Sequence, residues 1–333
     1  MGKFDTGMFG WATADLVRLD QIEPGLIARL LTAQPRLRHA IFLAVAGLSG
    51  AMSDDGDGRE DCEAKLARVI RRERPRAIIT HVFGDTPDGL MGALERLGAE
   101  PMSCALSYLS LLDTFSDPAS RATAALITQL DSASEQTLKV INALDSPWRL
   151  PEVLKRIETI SAARSVNKAL AMVTAVCSAA THEVVAQAIR RLPPQRTLAD
   201  IVERFLLRAD RFPDHPVRGD QDIRPLVTGR DFLATGVKYR NCLRERVDDA
   251  LAGRAAYAEF RGEAIIELRP LAGSFGWMLH DVHGPNNGLL APDVRAGAQA
   301  KCLEIGIPHI DWRADVPDLR RMCRLLRSPA TAM

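Results

Sequence analysis

From about Trp11 to Ala209 the apolar residues recur at helical spacing, interrupted by turn signals. Leu26, Ile27, Leu30 and Leu31 form one stripe, and Leu66, Val69 and Ile70 another. That i, i+3, i+4 pattern puts side chains on one helix face. The same reading predicts helices over 87–97, 103–113, 119–131, 134–144, 150–163, 165–190 and 197–209. Breaks are expected at Pro24, Pro35, Asp54–Gly58, Pro75, Asp85–Asp88, Glu100–Pro101, Asp117–Pro118, Ser146–Pro147 and Pro193–Pro194. Proline ends a helix because it lacks an N–H and clashes with the preceding turn. Short helices on short turns predict a helical bundle or an irregular helical-repeat domain. No tetratricopeptide, ankyrin or leucine-rich signature emerges, and a degenerate HEAT-like stack stays open.

The pattern changes at Phe212–Pro225, where three prolines and several charges mark a connecting segment. Beyond it, Ala255–Phe260, Ala264–Leu268 and Phe275–Val282 are short runs of β-formers bounded by Gly or Pro, and read as strands. Arg261–Gly262 is a tight link suited to an antiparallel hairpin. Helices are predicted at about 242–252 and 292–305. The expected fold is mainly α: a helical N-terminal domain over 1–215, then a small α+β domain with a short antiparallel sheet over 216–333.

Composition supports this picture without naming a function. The chain has 333 residues, 47% hydrophobic and 26% charged, which is ample material for a core and excludes wholesale disorder. Few aromatics and abundant Ala, Leu and Arg favour helices. The formal charge is +1, so no global field attracts nucleic acid or anionic membrane, and such binding needs a local patch. Six scattered cysteines at 62, 104, 177, 242, 302 and 323 contain no CxxC pair, which suggests reduced thiols in a cytoplasmic protein. MGKFDTGMFGW lacks a basic start followed by an apolar run, so no secretory signal is expected there. Its match to a myristoylation pattern through Gly2 and Thr6 reads as chance. The longest uncharged runs, Ala40–Ser53 and Ala169–Thr181, are too short to cross a bilayer, and no membrane partner is expected.

Two segments concentrate reactive groups. In Gly236–Arg246, Asn241 is a good N-cap residue and Gly253 stands where the following helix would end. Cys242 would then occupy the first helical position with Arg240, Arg244 and Arg246 nearby, an environment that favours a thiolate. The competing reading is a small buried core cysteine. The second segment, His280–Gly288, holds His280, Asp281, His283, Asn286 and Asn287 at one strand end. Cys242 as nucleophile, His280 or His283 as base and Asn286 as orienting amide would follow the chain order of papain-like thiol hydrolases. Asn286 and Asn287 are equally good turn residues, because Asn tolerates left-handed backbone. Zinc held by Cys242, His280 and His283 lacks a fourth ligand and a known spacing, so no metal or cofactor is expected. The acidic run Asp54–Glu63 has Arg59 at the fifth loop position and no Gly at the sixth, and is not a calcium loop. Arg68, Arg71, Arg72, Arg74 and Arg76 form the densest basic cluster, read as a solvated face more than a phosphate patch. Walker, dinucleotide-binding, zincin, serine-hydrolase and kinase signatures are absent.

The outline Gly236, Lys238 to Arg240, Asn241-Cys242, a helix closed by Gly253, strands at Ala256–Phe260 and Ile265–Leu268, and the turn His283-Gly284-Pro285-Asn286-Asn287 resembles the PcfJ-like family of bacterial mobile elements. The likeness covers roughly Phe232–Glu304. Family members often carry His before the cysteine, where this chain has Asn241. The resemblance implies a mobile-element or defence context. It also implies work alongside a nucleic-acid or protein partner, with Lys238, Arg240, Asn241, Arg244 and Asn287 as binding residues. It implies no particular reaction, and a plain helical scaffold is the third reading. Oligomeric state is left open.

Overall fold

The structure is a computed structural model that describes residues 9–50, 59–272 and 275–309. The chain divides into two compact units, Met1–Asn167 and Lys168–Met333. Gly2 and Thr6, residues 54–58 of the acidic run, and Cys323 lie outside the described residues.

The first unit is helical: α1 (Thr13–Ile22), α2 (Leu26–Thr32), α3 (Pro35–Gly50), α4 (Arg59–Arg72), α5 (Pro75–Phe83), α6 (Leu90–Arg96), α7 (Ala105–Ser116), α8 (Arg121–Thr128), α9 (Glu135–Ala143), α10 (Pro151–Leu154) and the start of α11 (Ile160–Val176). Pro35, Pro75 and Pro151 each open a helix, where a missing N–H costs nothing. Pro75 thus divides the arginine cluster between α4 and α5. Arg72 pairs with Glu23 at 3.4 Å, and the Arg71 Nε donates to the Pro24 carbonyl.

Helix α3 is the hub of this unit. His39 through Ala46 are all buried, as expected of a helix that is apolar around most of its circumference. His39 Nε2 lies 3.0 Å from the Gly98 carbonyl, and Nδ1 lies 2.7 Å from the Tyr108 hydroxyl. That hydroxyl also accepts the Met102 N–H. Every polar atom of this group is satisfied if the neutral imidazole donates from Nε2, and burial pushes His39 down to about 4.

The second unit holds the rest of α11, then α12 (His182–Arg190), α13 (Leu198–Leu206), β1 (Ile223–Pro225), α14 (Gly229–Tyr239), a 3-10 turn at Cys242–Arg246, α15 (Val247–Leu251), β2 (Ala256–Phe260), β3 (Ala264–Pro270), β4 (Trp277–His283) and α16 (Pro292–Glu304). The single helix expected over 165–190 is two helices. The Thr181 hydroxyl caps α12 by accepting the Val184 N–H, and the Val176 carbonyl at the end of α11 accepts the N–H groups of Asp210 and Arg211. A tertiary contact at Asp210 therefore fixes a break that no Pro or Gly announces.

The compact division also falls earlier than the composition change at Phe212–Pro225. That segment is a connection inside the second unit, and its end becomes β1, a strand the local pattern did not predict. Helix α13 meets α14 too closely to belong elsewhere. The Gly229 N–H donates to Ala209, and a Cβ on Gly229 would stand 2.4 Å from the Leu206 carbonyl oxygen.

The four strands form an antiparallel sheet in the order β1-β2-β3-β4. Arg261 and Gly262 both have positive φ, and the Glu263 N–H closes on the Phe260 carbonyl, as a tight hairpin turn requires. Alternation then sorts the side chains. Ala256, Ala258, Phe260, Ala264, Ile266 and Leu268 face Ala298 and Cys302 of α16 in one apolar cluster. Tyr257, Glu259 and Glu267 face the other way, where α14 packs: Phe232 meets the Tyr257 ring edge-on at 5.6 Å.

Candidate functional site

The polar face of this sheet is where charge is buried. Glu259 on β2 and Glu267 on β3 are each only 8% exposed, which demands ionic partners. Glu259 receives them from β1 and α14. Arg224 reaches it through Nη2 at 2.9 Å, Lys238 Nζ at 2.6 Å and the Tyr239 hydroxyl at 3.0 Å. Burial would raise the Glu259 carboxyl, but these three donors outweigh it and hold it below the usual value.

Glu267 is served from its own strand and from β4. Arg269 Nε donates at 2.7 Å, and His283 Nε2 lies 3.0 Å away. The other ring nitrogen of His283 is 4.0 Å from Asp281, which is itself tied to Arg295 of α16 at 3.1 Å. A β-bulge makes this arrangement possible. Glu267 pairs with Asp281 while Leu268 pairs with Leu279, so His280 is an extra residue on β4. Burial works against the Glu267 charge, yet the His283 bond and the Arg269 and His280 charges carry its carboxyl down to about 2. The Glu267 hydrogen bond in turn raises His283, whereas burial lowers His280.

Directly across the β2–β3 ladder from Glu267 lies Tyr257, 2% exposed. Its hydroxyl is a buried polar atom with no hydrogen-bond partner among the described residues. Burial, reinforced by Glu267, raises the phenol and keeps it neutral. Arg246 is near enough for Tyr257, Cys242 and Glu267 to act on its charge, and together they outweigh burial and raise it.

The expected cap at Asn241 is present: its side-chain oxygen accepts the Leu243 N–H at 3.1 Å, and Cys242 starts the helical turn. That turn is 3-10 through Arg246 before α15 begins, where a continuous helix over 242–252 was predicted. Arg240, just before it, caps α14 in a left-handed conformation with φ 50°, and Gly253 leaves α15 with φ 66°. Cys242 is exposed, so it is not a core cysteine; Cys177 and Cys302 are the buried ones, and burial pushes Cys302 up to about 11.

Several sequence-predicted residues come together and others do not. His283 joins Glu267 and Asp281, and Lys238 joins Glu259. Among the described residues the Cys242 thiol makes no hydrogen bond to His280 or His283, and Asn286 and Asn287 are exposed beyond the end of their strand. Both asparagines have left-handed φ, 56° and 52°, in the turn after β4, which is turn chemistry at work. Arg244 pairs with Glu203 of α13 at 3.2 Å. The sequence reading missed Tyr257, Glu259, Glu267 and Arg269. The signal was present, since a lone Glu inside AYAEF and another inside AIIEL interrupt otherwise apolar strands.

No group of three or more His, Cys, Asp or Glu side chains among the described residues is arranged to hold a metal ion. No helix among them is long and apolar enough to cross a membrane. No protein-family model matches the chain, and neither a curated protein nor a solved structure is significantly similar to it.

Proposed function

We propose that the sheet-bearing unit is a PcfJ-like module that engages nucleic-acid phosphates, in a bacterial mobile-element or defence setting, at the corner where α14 meets the 3-10 turn. The observation that carries this reading is the exposure of four cations there. Lys238, Arg244 and Arg246 keep 53%, 55% and 49% of their side chains open, and Arg240 is exposed with no ion pair among the described residues. The Arg244–Glu203 pair is half-exposed on both sides and costs little to release, and Arg240 needs no release, whereas Lys238 stays tied to the buried Glu259 and presents only its exposed side. Phosphate contacts position a nucleic acid without reading its sequence, which suits a corner whose exposed groups are mostly flexible cations.

The test is binding of single-stranded DNA and RNA across a salt series. Affinity should fall steeply with salt, and R240A combined with R244A should flatten the salt slope by about two contacts. Absence of binding at low salt overturns the proposal.

A second reading, a cysteine-dependent hydrolase or transferase, is favoured by one observation: Cys242 is exposed at a helical N-terminus within reach of the Arg246 charge. There the thiolate would attack and His280 or His283 would serve as base. Iodoacetamide should then modify Cys242 much faster than the exposed Cys62 of the same chain, and equal rates at the two thiols remove this reading.

A further inference from the structure

A groove of about 860 Å³ runs through the first unit between the α5–α6 connection and the α7–α8 pair. Its size lies within the range of roughly 300–1,000 Å³ that holds compact ligands or an anchoring peptide segment. The half-buried rings of Phe83 and Phe115 form its apolar walls. Gly89 keeps it open: it sits at φ 85°, and a Cβ there would stand 3.1 Å from the Phe115 ring and 3.2 Å from the Thr128 methyl.

Carboxylates dominate the charge along the groove. Asp85, Asp88 and Asp117 line it against a single cation, Arg121. Asp117 is fixed by accepting the Ala119 N–H at 2.9 Å and the Ser120 hydroxyl at 3.0 Å, and Asp85 by accepting the Thr86 N–H at 2.6 Å. Asp88 is exposed, and no hydrogen bond or ion pair engages it among the described residues. Phenyl walls with a carboxylate rim match one side chain above others. A guanidinium stacks on aromatic faces, pairs in two-pronged fashion with carboxylates, and is less hydrated than an ammonium.

We infer that this groove docks an arginine-bearing extended segment of a protein partner. Site and occupant are independent of the cationic corner in the second unit, so either proposal can fail alone. The arginine side chain lies between Phe83 and Phe115, its guanidinium meets Asp88 and Asp85, and Arg121 sets an upper limit on affinity by repelling it.

The experiment measures fluorescence anisotropy of a labelled tetra-arginine peptide on the full chain at low salt, with tetra-glutamate and spermine as competitors. Tetra-arginine should bind and tetra-glutamate should not compete. D85N combined with D88N should weaken binding about tenfold, and R121A should tighten it about threefold. A125W, which fills the groove, should abolish binding while thermal unfolding confirms that the unit is folded. Unchanged affinity in the double Asp variant, or no gain in R121A, overturns the inference. Competition by spermine as effective as that by unlabelled peptide also overturns it, because the groove would then hold any small polycation.

Discussion

His39 in the first unit is fully buried and His283 in the second is half-buried, and the two histidines are treated in opposite ways. His39 lies inside an apolar helical core, neutral, bonded to a carbonyl and a tyrosine hydroxyl. His283 lies on the polar face of a sheet, bonded to a carboxylate that draws it toward its charged form. The first unit buries Glu63 against Arg18 at its α1–α4 contact but otherwise gains its stability from apolar burial around α3. The second places ionised Glu259 and Glu267 under its helices and must pair them at every step. A buried ion pair contributes little net stability but is costly to break, so the second unit is tuned by single side chains where the first is tuned by volume.

The sharpest way to break this contrast is E267A. It would leave Arg269 and His283 without their shared carboxylate and should cost about 3–5 kcal/mol, read as loss of hydrogen-exchange protection confined to the second unit. Equal loss in both units would mean that they do not unfold separately.

Acidification should separate them next. His39 is pulled down from 6.5 to about 4, so the neutral folded form is at no disadvantage above 6.5. Below that pH the unfolded chain binds the proton first, and the first unit should lose roughly 3 kcal/mol as pH falls from 6.5 to 4. His283 has the reverse sign. Its raised value adds stability that is full below 6.5 and is lost as pH rises through that raised value. Glu267 adds stability above its ordinary value near 4.5 that is lost only as pH falls toward about 2. The lowered His215 and His280 oppose His283 within the second unit, so exchange protection followed against pH from 7 to 4 should decline most steeply in the first unit, where His39 has the large shift.

A matched pair of smaller changes tests whether local rules act alike in both. Ser134 caps α9 and Thr197 caps α13, each in a reciprocal capping box. S134A and T197A should each cost about 1 kcal/mol in urea unfolding. A large difference between them would show that tertiary context, not the cap, sets the helix end.

The smallest effect is expected from Y257F. Removing a buried hydroxyl that has no partner should leave stability unchanged or raise it by up to about 1 kcal/mol. A clear loss in urea unfolding would show that the hydroxyl is satisfied in solution.

What was legible in advance follows one physical line. Periodicity at 3.6 and at 2 residues is a local property, so most helices, the three longer strands and the Arg261–Gly262 turn could be read from neighbours in the chain. The same holds for the Asn241 cap, and for Asn286 and Asn287 as turn residues. Break points without Pro or Gly could not. The Cys177–Thr181 interruption depends on Asp210 returning to Val176, and β1 depends on pairing with β2, some 35 residues away. The candidate site divides the same way. Cys242, Lys238 and His283 stood out by residue type, but Glu259 and Glu267 looked like ordinary strand residues until pairing placed them opposite their cations. Residue spacing alone settled that this is a largely helical chain with a small antiparallel sheet near its C-terminal end. Which carboxylates are ionised in the interior, and which histidine holds a proton, only the tertiary structure decided. Burial and partner distance set those states, and both come from chain segments far apart in sequence.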